Sequence, residues 1–344
     1  MKKIRVGIIG TGIGATMHLH GFKLHHKFEV VGIYGRNKTK VEKIAKKYKI
    51  KNYSTVHQLI SSPEIDLVSI ASIPKFHFKQ AVLASKFNKR VILEKPMCMN
   101  EREAFALSKI FKKKGLFNAI VHEHRFDPAK EYLKNIIKQD KLGEVRSVEI
   151  YKDMTYWHDP ILGRKFYWYS CKADGGGVTF SHLSHQIDFL MYIFGKVKLK
   201  WGLAFTECGW RYDVNGKRHK QTADDNCWAC FEAKNNNKVI PCLINISATR
   251  VKKIDLININ FSGGRYKIFS PQKIKIFNSK DKAITNKIPQ KYLGKNDSKN
   301  YSLNSFVRLL DNYYSFYYQN GRKKITDFSD GVIIQKFLDQ LISS

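Results

Sequence analysis

Gly7-Ile8-Ile9-Gly10-Thr11-Gly12-Ile13-Gly14-Ala15-Thr16-Met17-His18 is the stretch that decides the fold. It follows a short apolar, β-branched run at residues 3–9 and passes into a helix-like segment at 15–23. A second apolar run occupies 28–34. Strand, glycine turn, helix and strand at this spacing form a dinucleotide-binding βαβ unit. Gly10 permits the tight turn, Gly12 lets the backbone approach a pyrophosphate, and Ala15 in the third small slot keeps the helix against the strand. The free N–H groups and positive dipole end of that helix then face the phosphates. A GxGxxA string on its own is an ordinary βα turn; its position between a buried strand and a helix gives it meaning.

Working outward, the same rhythm continues. Residues 38–48 carry Val41, Ile44, Ala45 and Tyr48 at helical spacing, 67–71 read as a buried strand, and 76–86 as a helix. A strand at 90–93, a helix capped by Asn100 and running to 114, and a strand at 117–121 follow. Alternating strands and helices predict a doubly wound, mostly parallel sheet, with ligands beyond the carboxyl ends of its strands. After residue 122 the pattern changes. A helix at 128–138, a half-buried strand at 145–150 and a helix opened by Gly175-Gly176-Gly177 precede several alternating segments between 197 and 269. Residues 279–300 read as a loop, 301–318 and 330–342 as closing helices. The chain is therefore α/β: a dinucleotide-binding domain at 1–122, then an α+β domain at 123–344 with a large, mostly antiparallel open sheet.

The formal charge of +32 raises the question of nucleic acid. Its distribution argues against it. Residues 1–121 hold 24 Lys/Arg against 7 Asp/Glu and the remainder 37 against 22, so the excess is spread over both halves, mostly as lysine. No nucleic-acid-binding motif accompanies it, and attraction of anionic ligands is the expected consequence. No run of about 20 apolar residues suggests a membrane span, and the first residues read as a strand rather than a signal sequence. Six scattered cysteines suit a reducing compartment, so a cytoplasmic protein is expected. Cys227-Trp228-Ala229-Cys230 sits in a strand-like run, where residues three apart face opposite ways and cannot jointly grip a metal.

Two clusters carry candidate chemistry. Glu94-Lys95-Pro96 follows the fifth strand at its carboxyl end, and the proline holds Lys95 out of helical geometry. A lysine there can hydrogen-bond a substrate oxygen beside a nicotinamide, and partial burial would bring its pKa toward the working range. In the second cluster, Ser181, His185 and Asp188 fall at i, i+4 and i+7 on the helix after the glycines, with His182 nearby. Histidine has the pKa for general acid–base work, and hydride transfer needs a matching proton transfer.

The GxGxxA turn, His18 three positions beyond it, Glu94-Lys95-Pro96, His124-Arg125-Phe126 and the Gly175-Gly176-Gly177…His185-x-x-Asp188 helix together resemble the Gfo/Idh/MocA oxidoreductases, which include glucose–fructose oxidoreductase and inositol dehydrogenase. The resemblance runs in order over the whole chain. It implies a Rossmann domain binding NAD(H) or NADP(H), a second domain whose sheet often builds dimers or tetramers, and a sugar-like substrate. It assigns Lys95 and His185 as catalytic. Cofactor contacts are expected from Gly10, Gly12, Ile13, Gly14, Ala15, Arg36, Asn37, Ser72, Pro74, His77, Glu94 and Lys95. Substrate contacts are expected from Lys95, Arg125, Trp157, Ser181, His182 and His185, and no metal is expected.

Two departures from the family pattern matter. Ser181 stands where the family often has aspartate, so a Lys–Asp–His arrangement is incomplete. The end of the second strand reads Tyr34-Gly35-Arg36-Asn37, with no acidic residue for the ribose hydroxyls; Arg36 suits a 2′-phosphate and favours NADP(H), with NAD(H) possible. The change at Ser181 also admits a different class, a regulator that binds cofactor without catalysis. Basic and aromatic residues at Arg125, Tyr156, Trp157, His158, Arg164 and Tyr167 would suit a phosphorylated or carboxylated sugar. A metal site is the remaining reading of the histidines, with His122 and His124 on one strand face and His182 and His185 on one helix face.

Overall fold

The computed structural model describes residues 3–155, 157–159, 164–235, 238–294 and 300–343. The chain forms two compact units: Met1–Glu123 with Ser298–Lys336, and His124–Asp297 with Phe337–Ser344.

The first unit is built on six parallel strands, β1 (Ile4–Ile9), β2 (Phe28–Tyr34), β3 (Lys51–Asn52), β4 (Leu67–Ile70), β5 (Arg90–Glu94) and β6 (Asn118–Val121), in the order β3-β2-β1-β4-β5-β6. Val6, Ile8, Leu67, Val68, Ile70, Val91, Ile92 and Leu93 are wholly buried, which is why these strands read as continuous apolar runs. The strand order reverses between β1 and β4, and the crevice outside their carboxyl ends is where a doubly wound sheet binds its ligand. Helices α1 (Leu19–Leu24), α2 (Lys38–Tyr48), α3 (Val56–Ser61), α4 (His77–Lys86) and α5 (Glu101–Lys113) connect the strands. Asn37, Thr55 and Asn100 cap α2, α3 and α5 through their side chains, as short polar residues before apolar periodicity should. The two-residue β3 has no apolar pattern and was not anticipated.

By sequence order, residues 298–336 were counted with the second domain; in the structure they pack with the first unit. Helix α8 (Tyr301–Tyr318) buries Phe306, Leu309, Leu310 and Tyr313, and the Phe306 ring lies 4.6 Å from that of His18 and 5.6 Å from that of Phe22. The Tyr317 hydroxyl donates to the Asn118 carbonyl at 2.7 Å, and Thr326 pairs with Ile120 beyond the edge strand β6. An edge strand and an apolar helix face are thereby covered together.

The second unit carries helices α6 (Pro128–Lys138) and α7 (Ser184–Phe194) with an eight-stranded sheet. Its strands are β7 (Val145–Asp153), β8 (Val197–Phe205), β11 (Asn226–Asn235), β12 (Lys238–Ser247), β13 (Ile254–Phe261), β14 (Gly264–Ser270), β15 (Lys273–Asn278) and β16 (Ala283–Thr285). The order is β16-β15-β14-β13-β7-β12-β11-β8; β7 and β12 run parallel and every other neighbour antiparallel, as expected of an open, mostly antiparallel sheet. A small hairpin, β9 (Trp210–Tyr212) with β10 (Arg218–Lys220), stands apart. Along β11 Cys227, Ala229, Phe231 and Ala233 are buried while Trp228 is exposed, the alternation of a one-sided sheet. Cys227 and Cys230 are both free thiols in this strand. Among the described residues no helix is long and apolar enough to cross a membrane. The α9 helix (Phe328–Ser343) closes the chain.

Candidate active site

The glycine turn leaves β1 through Gly10, whose φ of +121° is open to glycine alone; a Cβ there would stand 2.2 Å from the Ala71 carbonyl oxygen. The helix opens as one π-helical turn, Gly14–His18, and continues as α1. Close packing against the strand falls to Gly14 rather than to Ala15: a Cβ on Gly14 would press to 3.2 Å on Ile8 and on Ala71, whereas Ala15 is half-exposed. Beyond Gly12 nothing lies within 4 Å of a Cβ position. Among the described residues none accepts from the N–H groups of Gly12, Ile13 or Gly14. Exposed Ile13 flanks the same turn. Free donors at the positive end of a helix, with open space before them, fit a dinucleotide pyrophosphate.

At the end of β2, Arg36 is exposed and its guanidinium stands 5.3 Å from the Phe76 ring; Lys75 reaches the same ring at 5.3 Å. Asn37 uses its side-chain oxygen to cap α2, accepting from Lys40 N–H at 2.9 Å. Ser72 donates to Gln80 at 2.8 Å, and buried Pro74 starts the turn that leads into α4.

The Glu94-Lys95-Pro96 turn leaves β5 with Lys95 half-buried and the Lys95–Pro96 bond cis. Glu94, expected among the cofactor contacts, instead turns inward. Its Oε1 is 2.9 Å from His18 Nε2 and its Oε2 accepts the Lys95 N–H at 3.2 Å. Burial pushes this carboxyl up, but the His18 hydrogen bond and charge, then Lys95 and His77, outweigh it and hold Glu94 below the usual carboxylate range. His77 also lies below the surface. Its ring nitrogens are each 2.9 Å from a carbonyl oxygen, of Ser72 and of Pro96, so it joins two loops, and burial pushes its pKa down. The glycine turn announces itself in neighbouring residues; the His18 partner of Glu94 comes from 76 residues away, which no local pattern signals.

In the second unit the glycine cluster feeds a π turn, Thr179–Leu183, and then α7. Asp224 accepts from both the Thr179 N–H and hydroxyl at 2.8 Å, anchoring the start of this helix; burial pushes its pKa up to about 6 against those hydrogen bonds. This anchor was missed because it comes from 45 residues downstream. Ser181 lies in the π turn, while His185 and Asp188 lie in α7. Ser181 is buried and donates back to the Gly177 carbonyl at 2.6 Å, half-exposed His182 lies in the same turn, and buried His185 sits 4.6 Å, ring to ring, from His124.

Asp188 is joined to Arg125, which donates through Nε at 2.9 Å and through a second guanidinium nitrogen. Both groups are buried, and Arg125, expected to contact substrate, ties the segment after β6 to α7. Trp157 is 3% exposed and accepts from Arg211 through its carbonyl at 2.5 Å, a wall of the unit rather than an open face. His158 is exposed and Tyr167 packs 4.6 Å from the His219 ring. Tyr156 and the Arg164 side chain lie outside the described residues. His122 and His124 share no strand face, because β6 ends at Val121 and His124 lies in a short 3-10 turn.

Two family models match the chain: residues 4–122 fit the oxidoreductase family's NAD-binding Rossmann fold, and residues 134–344 its C-terminal alpha/beta domain. An uncharacterized oxidoreductase of Synechocystis sp. is 28% identical over 71% of this chain and 66% of its own length. A D-xylose dehydrogenase of Paenarthrobacter nicotinovorans is 29% identical over 67% of this chain and 61% of its own. The chain thus spans less than two thirds of the length of these curated relatives. A solved structure of levoglucosan dehydrogenase, in complex with NADH and L-sorbose, superposes with a TM-score of 0.86 at 18% identity, covering 100% of this chain and 97% of that one. Likeness at that identity speaks for the fold. With both halves matched in order, the chain belongs to the Gfo/Idh/MocA oxidoreductase family.

Proposed function

We propose that this chain is a nicotinamide-dependent oxidoreductase acting on a CH–OH group of a sugar, inositol or sugar derivative, with NADP(H) favoured over NAD(H). The observation that carries the reading is the pairing, in one parallel sheet, of the Gly10–Gly14 turn after β1 with a half-buried lysine after β5. Gly12, Ile13 and Gly14 would hold the pyrophosphate through their N–H groups, and Arg36 the 2′-phosphate.

When bound, the nicotinamide supplies the hydride acceptor or donor. The chain's own task is the proton. In the oxidation direction the substrate hydroxyl would lose its proton as the carbon–oxygen double bond forms, His185 having the chemistry of the proton acceptor and Lys95 that of a hydrogen-bond donor to oxygen; reduction reverses the transfer. Ser181 does not supply the missing acid, since its hydroxyl is committed to Gly177. The proton then leaves His185 by way of water or His182. The packing of Arg125 against Asp188 removes one argument for an anionic sugar, so neutral polyols and sugars belong in the first substrate panel.

The test is cofactor titration by intrinsic fluorescence together with a panel of sugars and polyols assayed in both directions with both cofactors. The expected result is tighter NADPH than NADH binding and turnover of at least one panel member. Tight cofactor binding with no turnover of any substrate and a co-purifying protein would overturn the enzymatic reading in favour of a cofactor-binding regulator.

A further inference from the structure

Beneath the Lys95 turn lies a hydrogen-bonded chain with a catalytic look and a different use. Ser69 Oγ is 2.7 Å from His18 Nδ1, and His18 Nε2 is 2.9 Å from Glu94 Oε1. Hydroxyl, imidazole and carboxylate in that order make up a nucleophilic triad. This one has no access to substrate, because Ser69 and His18 are both 0% exposed and Ser69 lies within β4. Its output is on the other side. The second Glu94 oxygen accepts the Lys95 N–H, so the carboxylate links His18 to the backbone of the lysine.

We propose that His18 is a positioning residue for Lys95: it keeps the Glu94 carboxylate in place beneath the turn, and so sets the direction of the Lys95 amine and the charge that amine faces. A buried carboxylate without a donor takes up a proton or turns away. Here His18 supplies the donor, and the imidazole is itself fixed by Ser69 and by its stack on Phe306, with the rings 25° apart. The charged groups facing Glu94 are His18 from the first helix, Lys95 from its own turn and His77 from α4; those facing Lys95 include Glu94 and His77. His77, bridging the carbonyls of Ser72 and Pro96, steadies the far end of the same turn. The consequence for turnover rests on Lys95 being catalytic, whereas the placement of the amine is testable without any substrate.

Competitive acetylation of the full-length protein across pH 7–11, read peptide by peptide by mass spectrometry, titrates the Lys95 amine directly. Loss of a facing carboxylate should lower its titration midpoint by about 1 pH unit. His18→Leu and Glu94→Gln are therefore expected to give the same downward shift, with no further shift in the double variant. His18→Gln, which keeps an N–H donor, should stay near wild type. A His18→Leu protein that melts cooperatively yet shows an unshifted Lys95 overturns the proposal. Should that variant not fold, Ser69→Ala replaces it; a shift in the same direction supports the proposal and no shift overturns it. If Lys95 shifts as expected but Lys95→Ala retains turnover, the positioning stands and the catalytic reading falls.

Discussion

The turns that leave β1 and β5 stand in the same parallel sheet, yet they are held by opposite means. The first depends on its glycines: Gly10 at a φ of +121° under the Ala71 carbonyl, Gly14 close against Ile8 and Ala71, and Gly12 open to solvent. The second is shaped from outside. Glu94 meets His18 from the first helix, His18 meets Ser69 from β4 and Phe306 from α8, and His77 joins the Pro96 carbonyl to that of Ser72. The need for glycine at such a turn is written in the residue itself, even where the atom it must avoid comes from Ala71, whereas the distant donor of a buried carboxylate is not written beside it. The same contrast recurs in the second unit, where Asp224 anchors Thr179 and Arg125 is taken up by Asp188.

The largest effect should come from the end of the remotely held turn. Lys95→Ala is expected to lower turnover by about 10²–10⁴-fold while leaving NADPH affinity within a few-fold, as steady-state kinetics and fluorescence titration would read it. A variant with full activity would remove the functional meaning of that turn. Gly10→Ala probes the locally built one. The left-handed backbone and the contact with Ala71 O should destabilise the protein by about 2–3 kcal/mol. Denaturant unfolding checks the stability, and NADPH binding should fall with it. Native stability in that variant would show that the turn has an alternative conformation and that local reading of it is incomplete.

Arg36→Ala should weaken NADPH by about 10-fold and leave NADH unchanged. Equal binding of the two cofactors by the wild type, with neither altered in the variant, would overturn the assignment of Arg36.

The effect confined to stability at low pH belongs to the distant anchor Asp224. Its folded pKa of about 6 lies above the ordinary 3.8, so protonation favours the folded state. That contribution is complete below about pH 4 and lost as pH rises through 6. Relative to Asp224→Asn, the wild type should therefore gain about 2 kcal/mol between pH 7 and pH 4 in paired denaturant melts. A pH-independent difference would mean that this carboxyl titrates normally.

These contrasts also explain what could be read in advance. Helix α2 appears over Lys38–Tyr48 and α6 over Pro128–Lys138, where apolar periodicity, a capping Asn37 and the helix-starting Pro128 agree. The doubly wound order of the first sheet and the open antiparallel sheet of the second follow from runs that are continuous in one and alternating in the other. What escaped were features set by distant partners or by a changed helical period. The π turns at Gly14–His18 and Thr179–Leu183 are not signalled by apolar spacing, nor is the bond from the Ser181 hydroxyl to the Gly177 carbonyl. Glu94 and His77 are expected among the cofactor contacts and Arg125 among the substrate contacts; in the structure each has polar atoms bonded within the protein, to His18, to the Ser72 and Pro96 carbonyls and to Asp188. Residue type and strand-end position do not say whether a charged group faces a ligand or a neighbour.

The return of residues 298–336 to the first unit has a consequence for how the protein is made. The Rossmann sheet is encoded before residue 123, but the helix that stacks on His18 and the segment that pairs with β6 are encoded only after residue 298. At about 5–20 residues per second on the ribosome, the wait is on the order of 10–40 s. During it, the Phe22 and Ile120 surfaces and the buried His18–Glu94 pair have no cover, and the second unit can complete most of its sheet. The unit holding the Rossmann sheet is thus finished only after most of the second unit's sheet has been made, and a fragment ending near residue 122 would carry every strand of the first sheet without the helix that closes it.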